Sequence, residues 1–395
     1  MIYLITTLTR FSPLLPMSKA HYFDYNATTP VSDTIKQSYF EALNIFGNPS
    51  SLHQNGQIAK AALESARHQF AQCIETTADH IVFTSSGSEG NNHIFNSFWR
   101  QSLQNDTPLH IITSDIEHSS VRSTLQYLSQ FGVKVTSLPV SPSGHICLSE
   151  LESAITPDTR LISIMLANNE IGTIQPLADI CQLAREQQIL VHTDAIQALG
   201  KLPIAIPKLP VDFMTFSAHK IYAPKGTGAL YIKNNTTITP FIYGGGHEQQ
   251  RRAGTENIPG IIAFGQASTD LPNATEWQRQ RSLLDYLQTQ LKKSFPSLQV
   301  YSNHQTGLPN TLAVGLDGID GHALAINLDL AGIGVSTGSA CSTGSIEPSP
   351  VLTAIGVSDS LNKGSIRISI GKYTTRDACD VFIQEFNHSV TTMAQ

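Results

Sequence analysis

The chain has 395 residues, of which 41% are hydrophobic and only 14% charged, with a formal net charge of −6 at neutral pH. Its basic residues form no cluster, which excludes direct nucleic-acid binding by a charged footprint, and no apolar run reaches the roughly 20 residues of a membrane-spanning helix. The five cysteines, Cys73, Cys147, Cys181, Cys341 and Cys379, contain no Cys-x-x-Cys pair and no metal-ligand spacing, which fits a reducing, cytoplasmic setting rather than a disulfide framework.

Residues 1–20 precede the patterned part of the chain. Met1 to Pro16 carries Arg10 as its only charge and lacks both the basic start of a secretory signal and the several arginines of a transit peptide. It reads as an over-extended start ahead of Met17, with a weak targeting segment as the alternative. Apolar runs at 81–84, 110–114, 134–138, 161–167, 190–193, 213–216 and 228–233 predict strands, and helical periodicity at 88–104, 118–131 and 176–188 predicts helices between them. This alternation predicts an α/β fold with a mainly parallel sheet whose functional residues collect at the carboxyl ends of the strands. The glycines at 244–246 mark a transition, so that 21–266 form a large domain and 267–395 a smaller α+β domain with strands at 308–314 and 365–370.

Lys220 leaves the strand at 213–216 through Ser217, Ala218 and His219. Desolvation lowers the pKa of an amine, and a neutral amine can form a Schiff base; a strand-end lysine reaching out to water is the alternative. The strand at 190–193 releases Asp194 and, three residues later, Gln197. Pyridoxal phosphate requires an amine for its aldehyde, a carboxylate for its ring nitrogen and donors for its phosphate. Lys220, Asp194, and Ser217 with His219 supply these, while Gln197 is one turn beyond Asp194, within reach of the ring's phenolic oxygen.

Ser86, Gly87 and Ser88 follow a strand and open a helix, where backbone N–H groups and the Ser88 hydroxyl suit a phosphate; an ordinary N-cap is the alternative. His118 follows the strand at 110–114 and is placed to lie against the cofactor ring, or simply to start a helix. Asn169 follows the strand at 161–167 and is placed for the phenolic oxygen and a substrate carboxylate, or for a turn. Arg367 sits in an apolar strand where an unpaired charge is unfavourable, so it meets a carboxylate in bidentate fashion, with a structural salt bridge within the small domain as the alternative. Cys341 lies among small residues, in a loop rather than a core, where a thiolate is nucleophilic. The other four cysteines read as packing.

Most of these residues fall in segments that resemble the cysteine desulfurases of the class V aminotransferase group, in their longer-loop branch. The segments are Tyr22-Phe-Asp-Tyr-Asn-Ala-Thr-Thr-Pro30, Phe46-Gly-Asn-Pro-Ser50, Phe83-Thr-Ser-Ser-Gly-Ser-Glu-Gly-Asn-Asn92, Glu117-His118, Asn168-Asn-Glu-Ile-Gly172, Ser217-Ala-His-Lys220, Gly244-Gly-Gly-His247, Arg252-Ala-Gly-Thr255, Ser339-Ala-Cys341 and Ser365-Ile-Arg367. The resemblance implies a pyridoxal-phosphate-dependent transferase of fold type I, with the N-terminal segment also contributing to the small domain. It implies L-cysteine as substrate, Lys220 as the cofactor lysine and Cα base, His118 as a proton carrier and Cys341 as the persulfide-forming thiol. Arg367 and Asn169 hold the substrate carboxylate in that pattern. Thr255 reaches the phosphate of the neighbouring subunit's cofactor in a homodimer, and a separate protein, such as an iron–sulfur scaffold or a thiolation relay, accepts the sulfur. Asn26 and Ala223 depart from the pattern and receive no catalytic role. The alternatives are a selenocysteine or cysteine-sulfinate lyase, a true aminotransferase and a non-catalytic sulfur carrier.

Overall fold

The computed structural model describes residues 21–234, 236–337 and 348–394. The chain enters along a segment at 22–29 that turns at 25–27, and forms α1 (Asp33–Ala42) and α2 (Gln54–Cys73) before the sheet begins. The sheet strands are β1 (Ile81–Thr84), β2 (His110–Ser114), β3 (Lys134–Leu138), β4 (Thr159–Ser163), β5 (Leu190–Asp194), β6 (Phe213–Ser217) and β7 (Gly228–Ile232). Helices α3 (Gly87–Asn105), α4 (Ser119–Ser129), α5 (Leu148–Ala154) and α6 (Leu177–Glu186) run between successive strands from β1 to β5.

The seven strands lie in the order β1-β7-β6-β5-β4-β2-β3. The pairs β2–β3, β2–β4, β4–β5 and β5–β6 are parallel, whereas β7 runs antiparallel to both β1 and β6. Adjacent residues of a strand point to opposite faces, and the apolar runs divide accordingly. Val82, Ile111, Leu161, Phe213 and Leu230 pack on one face with Phe95 of α3 and Leu125 of α4. Phe83, Ile112, Ile162, Met214 and Tyr231 pack on the other with Phe70 of α2, Ile180 of α6 and Phe264 of α7 (Ile258–Ser268). A strand apolar at every position is therefore covered by helices on both sides.

The strand expected at 161–167 ends at Ser163. Beyond it the chain stays extended, with Ile164 N donating to His192 O and Leu166 N to Asp194 O, but it no longer forms a regular ladder. This frees residues 168–172 to turn back at the edge of the site.

A second apolar core joins α8 (Ala274–Ser294), β9 (Thr311–Gly315), α9 (Gly321–Leu330), β10 (Ser365–Ser369) and α12 (Arg376–Met393). The short β8 (Gln299–Val300) completes its three-stranded sheet, and α10 (Pro350–Ala354) and α11 (Asp359–Lys363) lie between α9 and β10. Phe23 contributes to this core from the other end of the chain, and Ser369 N donates to Phe23 O at 2.7 Å. The segment at 22–29 then crosses to the large sheet, where Thr29 N donates to His219 O at 2.9 Å. No helix among the described residues is long and apolar enough to cross a membrane.

Candidate active site

The carboxyl ends of β1, β2, β4, β5 and β6 border a cavity of about 350 Å³. Lys220 reaches it through the single turn that follows β6. Its Nζ donates to the backbone carbonyls of Asn26 at 2.5 Å and Ala27 at 2.8 Å. The turn is held from the same side: Thr29 Oγ1 donates to His219 O at 2.8 Å and accepts from Tyr222 N at 2.7 Å. Tyr222 adopts a left-handed φ of 67°, an uncommon conformation for a bulky residue, so the backbone irregularity falls there rather than at Ala223. Burial, reinforced by the Lys220 charge, pushes the His219 imidazole down to about 3, which leaves it neutral.

Asp194 ends β5 and is buried; its Oδ2 accepts from Asn91 Nδ2 at 2.8 Å and its Oδ1 from Ile196 N at 3.0 Å. Two neutral donors fix the carboxylate while leaving each oxygen a lone pair. Ser217 and Gln197 line the same cavity. So do Gly87 and Ser88, at the start of a helix whose first N–H groups have no intrahelical partner. A Cβ at Gly87 would approach Ile196 Cδ1 to 2.1 Å, so a larger residue there would have to displace the Ile196 side chain.

His118 starts a helix and also borders the cavity. As N-cap of α4 its Nδ1 accepts from Ser120 N at 3.1 Å, which assigns the proton of the neutral ring to Nε2. The ring also lines the cavity. Burial lowers its pKa, with Lys220 and Arg122 adding to the effect and Asp194 opposing it. The preceding Glu117 is 2% exposed, and its Oε1 accepts from Ser114 Oγ at 2.6 Å and Met165 N at 2.9 Å. Burial raises this carboxyl to about 8.

Arg367 lines the cavity but is already engaged. Its Nη2 pairs with Asp24 Oδ1 at 2.7 Å and its Nη1 donates to Asn169 O at 3.1 Å, while its buried Nε has no hydrogen-bond partner. Arg367 is thus in a structural ion pair, but its partner comes from the N-terminal segment rather than from residues 267–395. Asn169 lines the cavity beside it.

Two of the sequence candidates are not in this group. Thr255 is exposed and is not among the lining residues. It lies in a loop fixed by an Arg252–Glu89 ion pair at 2.9 Å and by the buried Arg67–Glu248 pair at 2.6 Å, and Glu248, Gln249 and Gln250 are all left-handed there. Cys341 lies outside the described residues. Of the other four cysteines, Cys181 and Cys379 are buried, but Cys147 is exposed beside Ser149, so packing does not account for it. Its isolated position before a short helix exposes it.

Sequence reasoning missed Met165, Ile196 and Ala27 as lining residues and gave Asn26 no role there. Asn26 is 1% exposed and bonds Asn169 O, Thr311 Oγ1, Asn310 Nδ2 and Ser369 Oγ as well as carrying Lys220 on its carbonyl. Its departure from the family pattern was the one available signal.

With this geometry in place, comparison with known proteins decides the family: the aminotransferase class-V model matches residues 21–382. The chain belongs to that family. It is 41% identical over 368 residues to a protein of Dictyoglomus turgidum named cysteine desulfurase IscS, covering 91% of this chain and 92% of the relative. A cysteine desulfurase IscS of Methanosarcina thermophila is 42% identical over 369 residues, covering 92% and 90%. Among solved structures, a NifS-like protein superposes with a TM-score of 0.87 at 36% identity, covering 94% of this chain and 99% of that one. SspA in complex with cysteine superposes with a TM-score of 0.80 at 35% identity, covering 90% and 100%. Class-V enzymes of this kind use pyridoxal phosphate, and the cavity fits it: an amine, a buried carboxylate and a helix N-terminus cleared by Gly87 face one space.

Proposed function

We infer that the chain is a cysteine desulfurase, which removes sulfur from L-cysteine and releases alanine. The observation that carries this is the convergence of Lys220, Asp194, His118 and the α3 N-terminus on one cavity in a chain related throughout to cysteine desulfurases. Pyridoxal phosphate supplies an aldehyde carbon for amines and a ring that takes up the electron pair left at the substrate Cα.

In this reading the Lys220 amine would hold the cofactor and would also serve as the base for the substrate Cα proton. The Asn26 and Ala27 carbonyls receive its Nζ and would steady the amine when it acts as base. Asp194 keeps the ring nitrogen protonated, Gln197 donates to the phenolic oxygen, and Ser217, His219, Gly87 and Ser88 contribute donors to the phosphate. His118 moves a proton to or from the substrate thiol through Nε2. Arg367 and Asn169 orient the substrate carboxylate, with Asp24 holding the guanidinium in place. Cys341 then attacks the substrate sulfur as a thiolate: the sulfur–sulfur bond forms as the carbon–sulfur bond breaks, leaving a persulfide on the protein, while the electron pair of the broken bond stays with the carbon skeleton, which takes up protons and leaves as alanine.

The working unit is a homodimer in which Thr255 of each subunit completes the phosphate site of the other. Its exposure and its position on a strained, pinned loop support this. The enzyme acts in the cytoplasm and passes sulfur to a separate acceptor protein, such as an iron–sulfur scaffold or a thiolation relay.

Cys341→Ala tests the reading, because it separates cofactor chemistry from sulfur transfer. The variant is expected to bind pyridoxal phosphate and to change its spectrum on adding L-cysteine, yet to release almost no alanine and to carry no labelled sulfur. Alanine and sulfide at the wild-type rate would instead favour a selenocysteine or cysteine-sulfinate lyase.

A further inference from the structure

Behind Lys220 lies a second lysine that the proposed sulfur chemistry does not use. Lys201, in the turn beyond β5, is 7% exposed. Its Nζ donates to Asn26 Oδ1 at 2.9 Å and to Gln197 Oε1. Both acceptors are neutral amides, and no carboxylate pairs with Lys201 among the described residues. Burial, with the Lys220 and Arg367 charges adding to it, lowers its pKa well below the ordinary lysine range. A buried amine without a counter-charge is an unfavourable element of a fold, so its partners are where a role has to be sought.

Gln197 is the informative partner. An amide side chain presents a donor end and an acceptor end of nearly the same shape, and only its surroundings decide which points where. Gln197 Nε2 donates to the backbone carbonyl of Asn26 at 2.8 Å, a group that can only accept. Lys201 donates to the other end. Together they hold the NH2 group on the side of Asn26, whose carbonyl also receives Lys220. One N–H of Gln197 is used on Asn26 O, and the other remains for the cavity that Gln197 lines.

We propose that Lys201 is a positioning residue for the cofactor: by donating to Gln197 Oε1 it holds the amide with its second N–H toward the phenolic oxygen of bound pyridoxal phosphate. This rests on the assignment of that oxygen to Gln197. A donor there stabilises the oxygen as an anion and lowers the proton affinity of the lysine-bound cofactor. The other charged or titratable groups around the cavity are Asp194, His118, His219, Lys220 and Arg367, and all stay in place in the Lys201 variants.

The test is the pH titration of the visible absorbance of the cofactor-loaded protein, with the thermal midpoint of the cofactor-free protein alongside. Lys201→Met keeps the volume and removes the donor. It is expected to raise the titration midpoint by about half to one pH unit, the effect of weakening one hydrogen bond, without lowering the thermal midpoint. Lys201→Gln restores a donor without a charge and should return the midpoint toward wild type. In a Gln197→Leu background Lys201→Met should add no further shift. Lys201→Ala serves the same comparison if the Met variant does not fold. An unchanged midpoint in the Met variant overturns the proposal. So does a Gln variant that matches Met, or a full additional shift in the Gln197→Leu background, because either shows that the lysine acts by charge alone. Failure of the wild-type chain to develop any visible band with pyridoxal phosphate would overturn the cofactor assignment and this inference together.

Discussion

Glu117→Gln should make the protein more stable at alkaline pH, and the structure sets the size of the effect. The carboxyl is 2% exposed, it accepts only from Ser114 and Met165, and its Oε2 has no partner. Burial raises its pKa from 4.5 to about 8, with the nearby Asp194 charge adding to the shift. The folded state therefore holds a proton that the unfolded chain has released. Stability that this site provides below about pH 4.5 is lost progressively as pH rises toward 8, because the unfolded state binds fewer protons over that window. At roughly 1.4 kcal/mol per pKa unit the shift implies at most about 5 kcal/mol, and the higher effective dielectric of real interiors reduces this to about 2 kcal/mol. Gln keeps the acceptor for Met165 N–H and has no charge to bury. The thermal midpoint of cofactor-free Glu117→Gln should thus rise relative to wild type by roughly 2 to 5 °C between pH 5 and pH 9. Parallel midpoint curves for the two proteins across that range would refute the buried-proton reading.

Two further perturbations test the loop that carries Thr255 and the proposed sharing of sites. Arg67→Met removes one partner of a pair whose side chains are 4% and 1% exposed. It should cost about 3–5 kcal/mol by leaving the Glu248 charge unpaired. Arg67→Met combined with Glu248→Gln should lose less, since the amide carbonyl then at position 248 carries no charge and still accepts from Phe83 N–H; thermal denaturation of the three proteins reads this. Mixing Thr255→Ala with Lys220→Ala protein should restore activity, because a hybrid dimer carries one site with both defects and one with neither. No recovery, with subunit exchange demonstrated by mass, would place Thr255 outside the partner's site.

Local pattern was enough to specify the strands and the chemistry at their ends. In β6 the run Phe213-Met-Thr-Phe216 is buried throughout, and such a run can satisfy its backbone only within a covered sheet. The polar residues that break it off, Ser217 to Lys220, are consequently delivered to a strand end. The same argument locates Asp194 at the end of β5 and Gly87 after β1, since each depends on contacts only a few residues long. The partners those residues meet come instead from long-range packing. Asn26 reads locally as a turn residue, yet it bonds positions 143, 285 and 343 residues away. Arg367 was legible as a buried charge, but its Asp24 partner is 343 residues distant. Lys201 carried no local signal, because nothing in its neighbourhood requires a buried amine. Which groups leave a strand, and on which side of the sheet, follows from backbone geometry and nearby apolar contacts. The pairing of polar groups inside the site depends on how the N-terminal segment, the large sheet and the small core pack together, which is settled only when all three are in place.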